Sequence, residues 1–224
     1  MKNNSKGAWA LTGLFALLFL LVTGLVLRVD VTPVGPAETS IGLSHLNTAV
    51  FDRLGESALW YRITSAIGAL ALLTVLVFAL MGAAQLVRGR SLAAVDRDIL
   101  MLGAVYLLTA LLYVLFEHTV VNYRPVILSP EVGPEASFPS SHTMLAVTVL
   151  GTAIPAWRRR LAHRPAIRLV FTAAAVLLIV LTVAGRLLSG VHWFTDILAG
   201  TLLGATLVSL YAALTAPSQR RSRT

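Results

Sequence analysis

The chain has 224 residues, of which 57% are hydrophobic and 12% charged, where soluble proteins carry roughly 25% charged residues. A mean hydropathy of +0.80 argues against a water-soluble globular domain, and the lack of cysteine excludes disulfides, thiolate catalysis and cysteine-based metal sites. The formal net charge of +8 raises nucleic acid as a partner, a reading that the placement of the basic residues removes.

A helix needs about 20 apolar residues at 1.5 Å each to cross a hydrocarbon core of roughly 30 Å. The first window free of ionisable residues, 8–27, meets this length. It exceeds the apolar stretch of a secretory signal, and no A-x-A-like site follows, so a retained helix is expected. The segment after it opens with Pro33, Gly35 and Pro36, then places Leu46, Val50, Phe51, Leu54 and Leu59 at roughly helical spacing. That spacing predicts an amphipathic helix over 44–60 at the outer interface. Two further spans follow at 63–87 and 99–116. The window 143–157 is too short alone, but it lengthens backward behind Pro139 through Ser140 and Ser141, giving a fourth helix at 140–157. The last two lie at 169–185 and 195–214, and Gly200 and Gly204 in the sixth suit close helix packing within one chain.

None of these runs alternates as a barrel strand does. The expected fold is therefore all-α: a polytopic bundle of six transmembrane helices with an outer interfacial helix, forming one membrane-embedded domain over 1–224. No repeat, low-complexity tract or long linker divides it.

Lys2, Lys6, Arg88, Arg90, Arg97, Arg158, Arg159, Arg160, Arg164, Arg168, Arg220, Arg221 and Arg223 all fall in the termini and the alternate loops at 88–98 and 158–168. The other loops hold only Arg28, Arg53, Arg62, Arg124 and Arg186. By the positive-inside rule both termini are cytoplasmic in a cell membrane, and the loops 28–62, 117–142 and 186–196 face outward. The basic excess is thus an orientation signal with some attraction to anionic lipid, and no nucleic-acid partner is expected. Trp60, Tyr61, Tyr123 and Trp193 read as an aromatic belt at the outer boundary, and the 158–160 arginines as a topology determinant.

The outward ends of these apolar helices carry Glu117, His118, Arg124, Ser140, Ser141, His142, Arg186, His192 and Asp196. Ionisable groups at such depth are expensive and point to function. Arg124 and Arg186 offer planar forks of donors suited to phosphate oxygens. Ser140 adds a donor at a helix N-terminus, whose dipole favours anions. His192 and Asp196 are four apart, one turn if helical, so the carboxylate can accept from one ring nitrogen and leave the other basic. His192 is then a candidate nucleophile, with His142 able to protonate a leaving oxygen and later activate water. Taken singly these features are bland: a structural pair, a helix cap and a snorkelling arginine. It is their occurrence together on one face that points to phosphoryl chemistry. His118, like His45, reads as an ordinary interfacial histidine.

The segments "EHTVVNYRP" at 117–125, "PSSH" at 139–142 and "GRLLSGVHWFTD" at 185–196 resemble the three motifs of the type 2 phosphatidic acid phosphatase (PAP2) family, K-x6-R-P, P-S-G-H and S-R-x5-H-x3-D. These are integral membrane phosphatases related to the vanadium haloperoxidases. The spacing from Arg186 through His192 to Asp196 is the most specific element, and the resemblance covers about 60–214. It implies a phosphohistidine on His192, oriented by Asp196, with His142 as general acid and Arg124, Ser140, Ser141 and Arg186 around the phosphate. It implies no metal and no cofactor. Three positions depart from the motifs: Glu117 replaces the lysine, Ser141 the glycine and Gly185 the serine. Glu117 changes the local charge by two units and would repel a phosphate unless it pairs with His118 or Arg124, or meets a polar or cationic part of the substrate.

The expected function is a lipid phosphate or diphosphate phosphatase at the outer leaflet, with the tail entering laterally and the 44–60 segment as a lid. Its partners would be the lipid phosphate and membrane lipids; oligomeric state is left open. A polyprenyl diphosphate is the first expectation for the substrate, and phosphatidylglycerophosphate or phosphatidic acid the next. Phosphotransfer to a lipid or sugar hydroxyl is the rival enzyme class. A non-catalytic lipid-binding protein would have lost its catalytic histidines.

Overall fold

The computed structural model describes residues 3–216, so Lys2, Arg220, Arg221 and Arg223 of the basic flanks lie outside the described residues. Seven α-helices carry the fold: α1 (Asn3–Arg28), α2 (Ser44–Leu54), α3 (Ala58–Gly89), α4 (Arg97–His118), α5 (Ser141–Arg160), α6 (Pro165–Leu188) and α7 (Phe194–Thr215). All but α2 are long and run alternately up and down. The segments 29–57, 119–140 and 189–193, which contain or flank the motif residues, therefore gather at one end of the bundle. Most of the long helices outrun their charge-free windows because charged residues are accommodated at helix ends, where long side chains reach out of the apolar layer.

Five helices, α1, α3, α4, α6 and α7, are long and apolar enough to cross a membrane. The sixth expected span, α5, differs. Its 20 residues rise about 30 Å, but it carries Thr143, Thr148 and Thr152 and ends in three arginines. The reason is its place at the centre of the bundle, where it faces protein instead of lipid. It packs into all three apolar clusters: Phe78, Leu102 and Tyr211 with Ala153 and Ala156; Phe19, Phe138 and Leu203 with Met144; and Ile67 and Ala175 with Ala146 and Leu150. The outer helices instead turn leucines and valines outward, among them Leu17, Leu73, Leu111, Leu169 and Val180. Such faces are what lipid contact requires.

The glycines of α7 let α5 approach closely, as their spacing predicted. A Cβ on Gly200 would lie 2.7 Å from the Ser140 carbonyl oxygen, and one on Gly204 2.7 Å from Cβ of Val147. At the end remote from the motifs, Arg160 is bonded to Asp98 at 2.6 Å, and Arg159 donates to the Tyr211 hydroxyl at 2.7 Å. The arginine run thus ties α4, α5 and α7 together, a contact beyond the topological role expected of it.

The interfacial helix is shorter than predicted. It ends at Leu54 because Gly55 takes a left-handed φ of 65°, and residues 58–60 already belong to α3, whose first turn is capped by Ser57. The aromatic belt is also corrected. Trp193 is 3% exposed, with its Nε1 donating to the Tyr123 carbonyl at 2.7 Å. A buried indole N–H needs that acceptor, which draws Trp193 into the protein and away from the boundary.

Replacing Gly200 by valine forces side-chain volume onto the Ser140 carbonyl and is expected to cost about 1–3 kcal/mol. Thermal unfolding in detergent measures it; an unchanged midpoint would show that α5 and α7 can separate freely.

Candidate active site

His192 sits in the loop Ser189–Trp193, which Gly190 turns with a φ of 71°. A side chain at Gly190 would also strike the carbonyl oxygen of Gly55, 2.7 Å from an added Cβ. The pairing of His192 with Asp196 is thus not a turn of helix, as the spacing suggested. Asp196 stands in the first turn of α7 and reaches back, its Oδ2 3.7 Å from Nδ1 of His192 while accepting the Trp193 backbone N–H at 2.9 Å. At 3.7 Å the two are in electrostatic contact but not hydrogen-bonded.

The other ring nitrogen faces a cation. Nε2 of His192 lies 3.3 Å from Nη1 of Arg124, which also donates to the Val191 carbonyl at 3.3 Å. A guanidinium can only donate, so Nε2 acts as acceptor, and the complementary tautomer carries its proton on Nδ1, toward Asp196. Burial first, and then the charges of Arg124 and Arg186, hold the His192 imidazole well below its ordinary value of 6.5. The ring is a neutral base with its lone pair on Nε2.

Arg124 is presented by a clip in which Tyr123 pairs antiparallel with Ala136. Its backbone N–H donates to the Glu135 carbonyl at 3.0 Å, and its Nε is 3.1 Å from Oε2 of Glu135. Glu135 thus provides the counter-charge that the sequence reading missed; no spacing signals a partner across a clip of this kind. Arg186, 1% exposed near the end of α6, stacks 5.1 Å from the Tyr61 ring and donates to Ser65 Oγ at 3.4 Å, while its Nε makes no hydrogen bond. Tyr61 and Ser65 were likewise not foreseen as partners.

Ser140 stands at the start of α5 without a side-chain cap to its backbone and is fully buried, its Oγ accepting from Thr143 at 3.0 Å and its N–H donating to the Asp196 carbonyl at 2.9 Å. Ser141 lines a hollow of about 20 Å³ together with Arg124, His192 and Glu117, room for roughly one water. Ser141 and His142 also line a much larger apolar groove of about 560 Å³ between α3, α4 and α5. The His142 ring has its place because Gly68 of α3 carries no side chain; a Cβ there would lie 3.1 Å from Cδ2. The groove meets a second hollow of about 330 Å³ deeper between α3 and α4, the two sharing Val75 and Tyr106.

Packing explains one of the motif departures, Gly185. A Cβ on Gly185 would stand 2.6 Å from Thr64 Cγ2 and 2.8 Å from the Trp60 ring, so the serine of the motif does not fit against α3 here. Glu117 is exposed at the mouth of the small hollow and pairs with neither expected partner: Arg124 is held by Glu135, and His118 Nδ1 contacts the Val114 carbonyl at 2.9 Å. His118 is exposed outside the hollow, as is His45, whose Nδ1 is 2.7 Å from Asp30. Among the described residues no three His, Asp or Glu side chains converge as a metal site would require.

A family model described as the PAP2 superfamily matches residues 98–220, more than half of the chain. The fold is similar to the crystal structure of a transmembrane PAP2-type phosphatidylglycerolphosphate phosphatase from Bacillus subtilis, with a TM-score of 0.64 and 20% identity over 89% of this chain and 93% of that one. No curated protein matches the sequence.

The buried neutral state of His192 has a measurable consequence. Below about 6.5 the unfolded chain takes up a proton that the folded ring refuses, so its contribution makes stability rise with pH up to that value and level off above it. The melting temperature of the substrate-free protein is expected to fall as pH drops below that value, with a smaller slope in His192→Gln. Equal slopes in the two proteins would place the proton on the folded imidazole instead.

Proposed function

Because the chain belongs to the PAP2 superfamily, a superfamily of phosphatases whose members include membrane lipid phosphatases, we propose that it cleaves a phosphate ester or anhydride of a lipid through a phosphohistidine on His192. The observation that carries this reading is the lone pair of Nε2, held against the Arg124 guanidinium in a hollow that Ser141 shares with the apolar groove. The phosphate would take its place between Arg124, Ser141 and Arg186, with Ser140 at the start of α5. Both guanidiniums stabilise charge that builds on the equatorial oxygens during transfer.

In the first step His142 takes up a proton as the phosphate anion binds beside it, Nε2 of His192 attacks phosphorus, the bond to the leaving oxygen breaks, and His142 delivers that proton to the leaving oxygen. Asp196 steadies the imidazolium that results. In the second step His142 takes a proton from water, the hydroxide attacks phosphorus, and the N–P bond breaks to release phosphate and restore neutral His192. Proton delivery and removal by one group is the ordinary economy of general acid–base catalysis. The hollow holds little more than a water, so it would open to admit a phosphate, and Arg124 would then exchange the Glu135 carboxylate for the phosphate.

A polyprenyl diphosphate at the outer leaflet of the cell membrane is the first choice of substrate. The groove supports it, since its upper and lower parts meet at Val75 and Tyr106 and extend along α3 as far as Leu86, a length that suits a long tail. Glu117 favours a second substrate. As an exposed acceptor at the mouth of the hollow it suits the glycerol hydroxyls of phosphatidylglycerophosphate, the substrate class named for the Bacillus subtilis neighbour.

Phosphate release by the purified protein in detergent with a chelator, across polyprenyl diphosphate, phosphatidylglycerophosphate and phosphatidic acid, tests the reading. Release is expected to persist in chelator and to fall to background in His192→Ala; undiminished turnover in that variant would sink the mechanism. Arg124→Lys keeps the charge but loses the fork, with an expected loss of about 10²–10³ in kcat. Glu117→Lys should leave the fold intact and reorder the three substrates, and an identical ranking would show that the Glu117 carboxylate does not meet the headgroup.

A further inference from the structure

The catalytic loop is gripped from outside by α2. Asn47 is fully buried, and its side-chain amide donates to the Gly42 carbonyl at 2.8 Å and to Thr195 Oγ1 at 2.9 Å while accepting the Thr195 N–H at 3.1 Å. Thr195 immediately precedes Asp196. One turn further along the same face of α2, Phe51 packs on the Trp193 ring with centroids 5.7 Å apart. Trp193 immediately follows His192. Two side chains of α2 therefore hold the residues next to each member of the histidine–carboxylate pair.

The grip continues to the other motif segments. Gly42 donates its N–H to Asn122 Oδ1 at 3.1 Å, and the Asn122 carbonyl accepts the Ser137 N–H at 2.9 Å, joining the clip that presents Arg124 to the segment that leads into Ser140. A side chain on Gly42 would overlap the Val26 carbonyl, so this stretch of backbone is pressed against the end of α1. The far end of the grip is fastened by Asp30, whose carboxylate accepts the His45 backbone N–H at 2.8 Å and the Ser44 hydroxyl at 3.0 Å. The first of these bonds holds the Asp30 carboxyl below its ordinary range. A helix whose first turn is tied by these bonds and whose next turn packs on Trp193 is a brace and does not swing as the expected lid would.

We propose that Asn47 is a positioning residue for the His192–Asp196 pair, acting through Thr195, with Phe51 acting through Trp193. The proposal rests on His192 as nucleophile. Without Asn47, the Thr195 N–H and the Gly42 carbonyl lose buried partners, and the first turn of α7 can shift relative to the loop. The separation of 3.7 Å between Nδ1 and Oδ2 leaves little tolerance for such a shift. Displacements of about an ångström at a reacting centre cost on the order of 10²-fold in rate.

The test compares Asn47→Leu, Phe51→Leu and Asp52→Asn, on the exposed face of α2, with the wild type and His192→Ala. Turnover of a lipid phosphate is normalised to sites that bind orthovanadate, a phosphate mimic, so that misfolded protein is not counted. Asn47→Leu is expected to lower kcat per site by about 10- to 100-fold with KM within about twofold, the signature of lost alignment. Phe51→Leu should do the same by about threefold, and Asp52→Asn should leave both constants unchanged. If Asn47→Leu binds vanadate but keeps the wild-type kcat per site, or if its KM alone rises, the brace is overturned. If Asn47→Leu yields no folded protein, Phe51→Leu decides by the same criterion. A wild type no more active than His192→Ala would instead overturn the phosphohistidine reading on which the proposal rests.

Discussion

Two cationic groups cannot sit side by side in a buried, weakly polar site, and the contact of 3.3 Å between Arg124 and Nε2 of His192 resolves which of them carries the charge. A guanidinium stays protonated, so the imidazole gives way and is neutral. The consequences run outward from that contact. The lone pair of His192 points into the hollow, its remaining proton points to Asp196, and Arg124 needs the counter-charge that Glu135 supplies. In the proposed mechanism a phosphate replaces Glu135 as the partner of Arg124, so one anion is exchanged for another beside that guanidinium.

The bundle is built to hold that contact at one end of an apolar body. Three loops converge there, fastened by polar contacts between protein groups: the Tyr123–Ala136 clip, the Asp196 carboxylate on the Trp193 N–H, and the Asn47 amide of α2 on Thr195 of α7. Irregular backbone near a membrane is tolerable only where protein groups satisfy it. The same requirement explains the polar character of α5. It lies at the centre, where Thr152 bonds within its own helix and where Arg159 and Arg160 reach partners on α4 and α7.

The groove contributes differently. Lipid tails are as apolar as the side chains that line it, so a tail gains little hydrophobic free energy on leaving the bilayer for the groove between α3 and α4. For the proposed lipid substrate, recognition would then fall on the head end, where charge is concentrated, with the groove acting by shape. Tyr106, whose hydroxyl is 3.1 Å from Thr152 Oγ1, is fixed at the junction of its two parts.

What the sequence by itself determined is what local periodicity and charge encode. Apolar runs fixed the number and order of the long helices, and the spacing R-x5-H-x3-D marked His192, Asp196 and Arg186, which the structure places at one end of the bundle with Arg124. Where local pattern misled, tertiary contact had overridden it. The pair His192–Asp196 read as a helical turn, yet His192 lies in a loop outside α7; 44–60 read as one helix, yet Gly55 breaks it; Trp193 read as a boundary ring, yet Tyr123 draws it inside. Glu135 opposite Arg124, Asn47 under Thr195, Gly68 beside His142 and Trp60 over Gly185 were decided only by the tertiary structure. The physical reason is that each joins residues on different elements, and which faces meet depends on the packing of the whole bundle, whereas a spacing in sequence reports only on neighbours along one helix or loop.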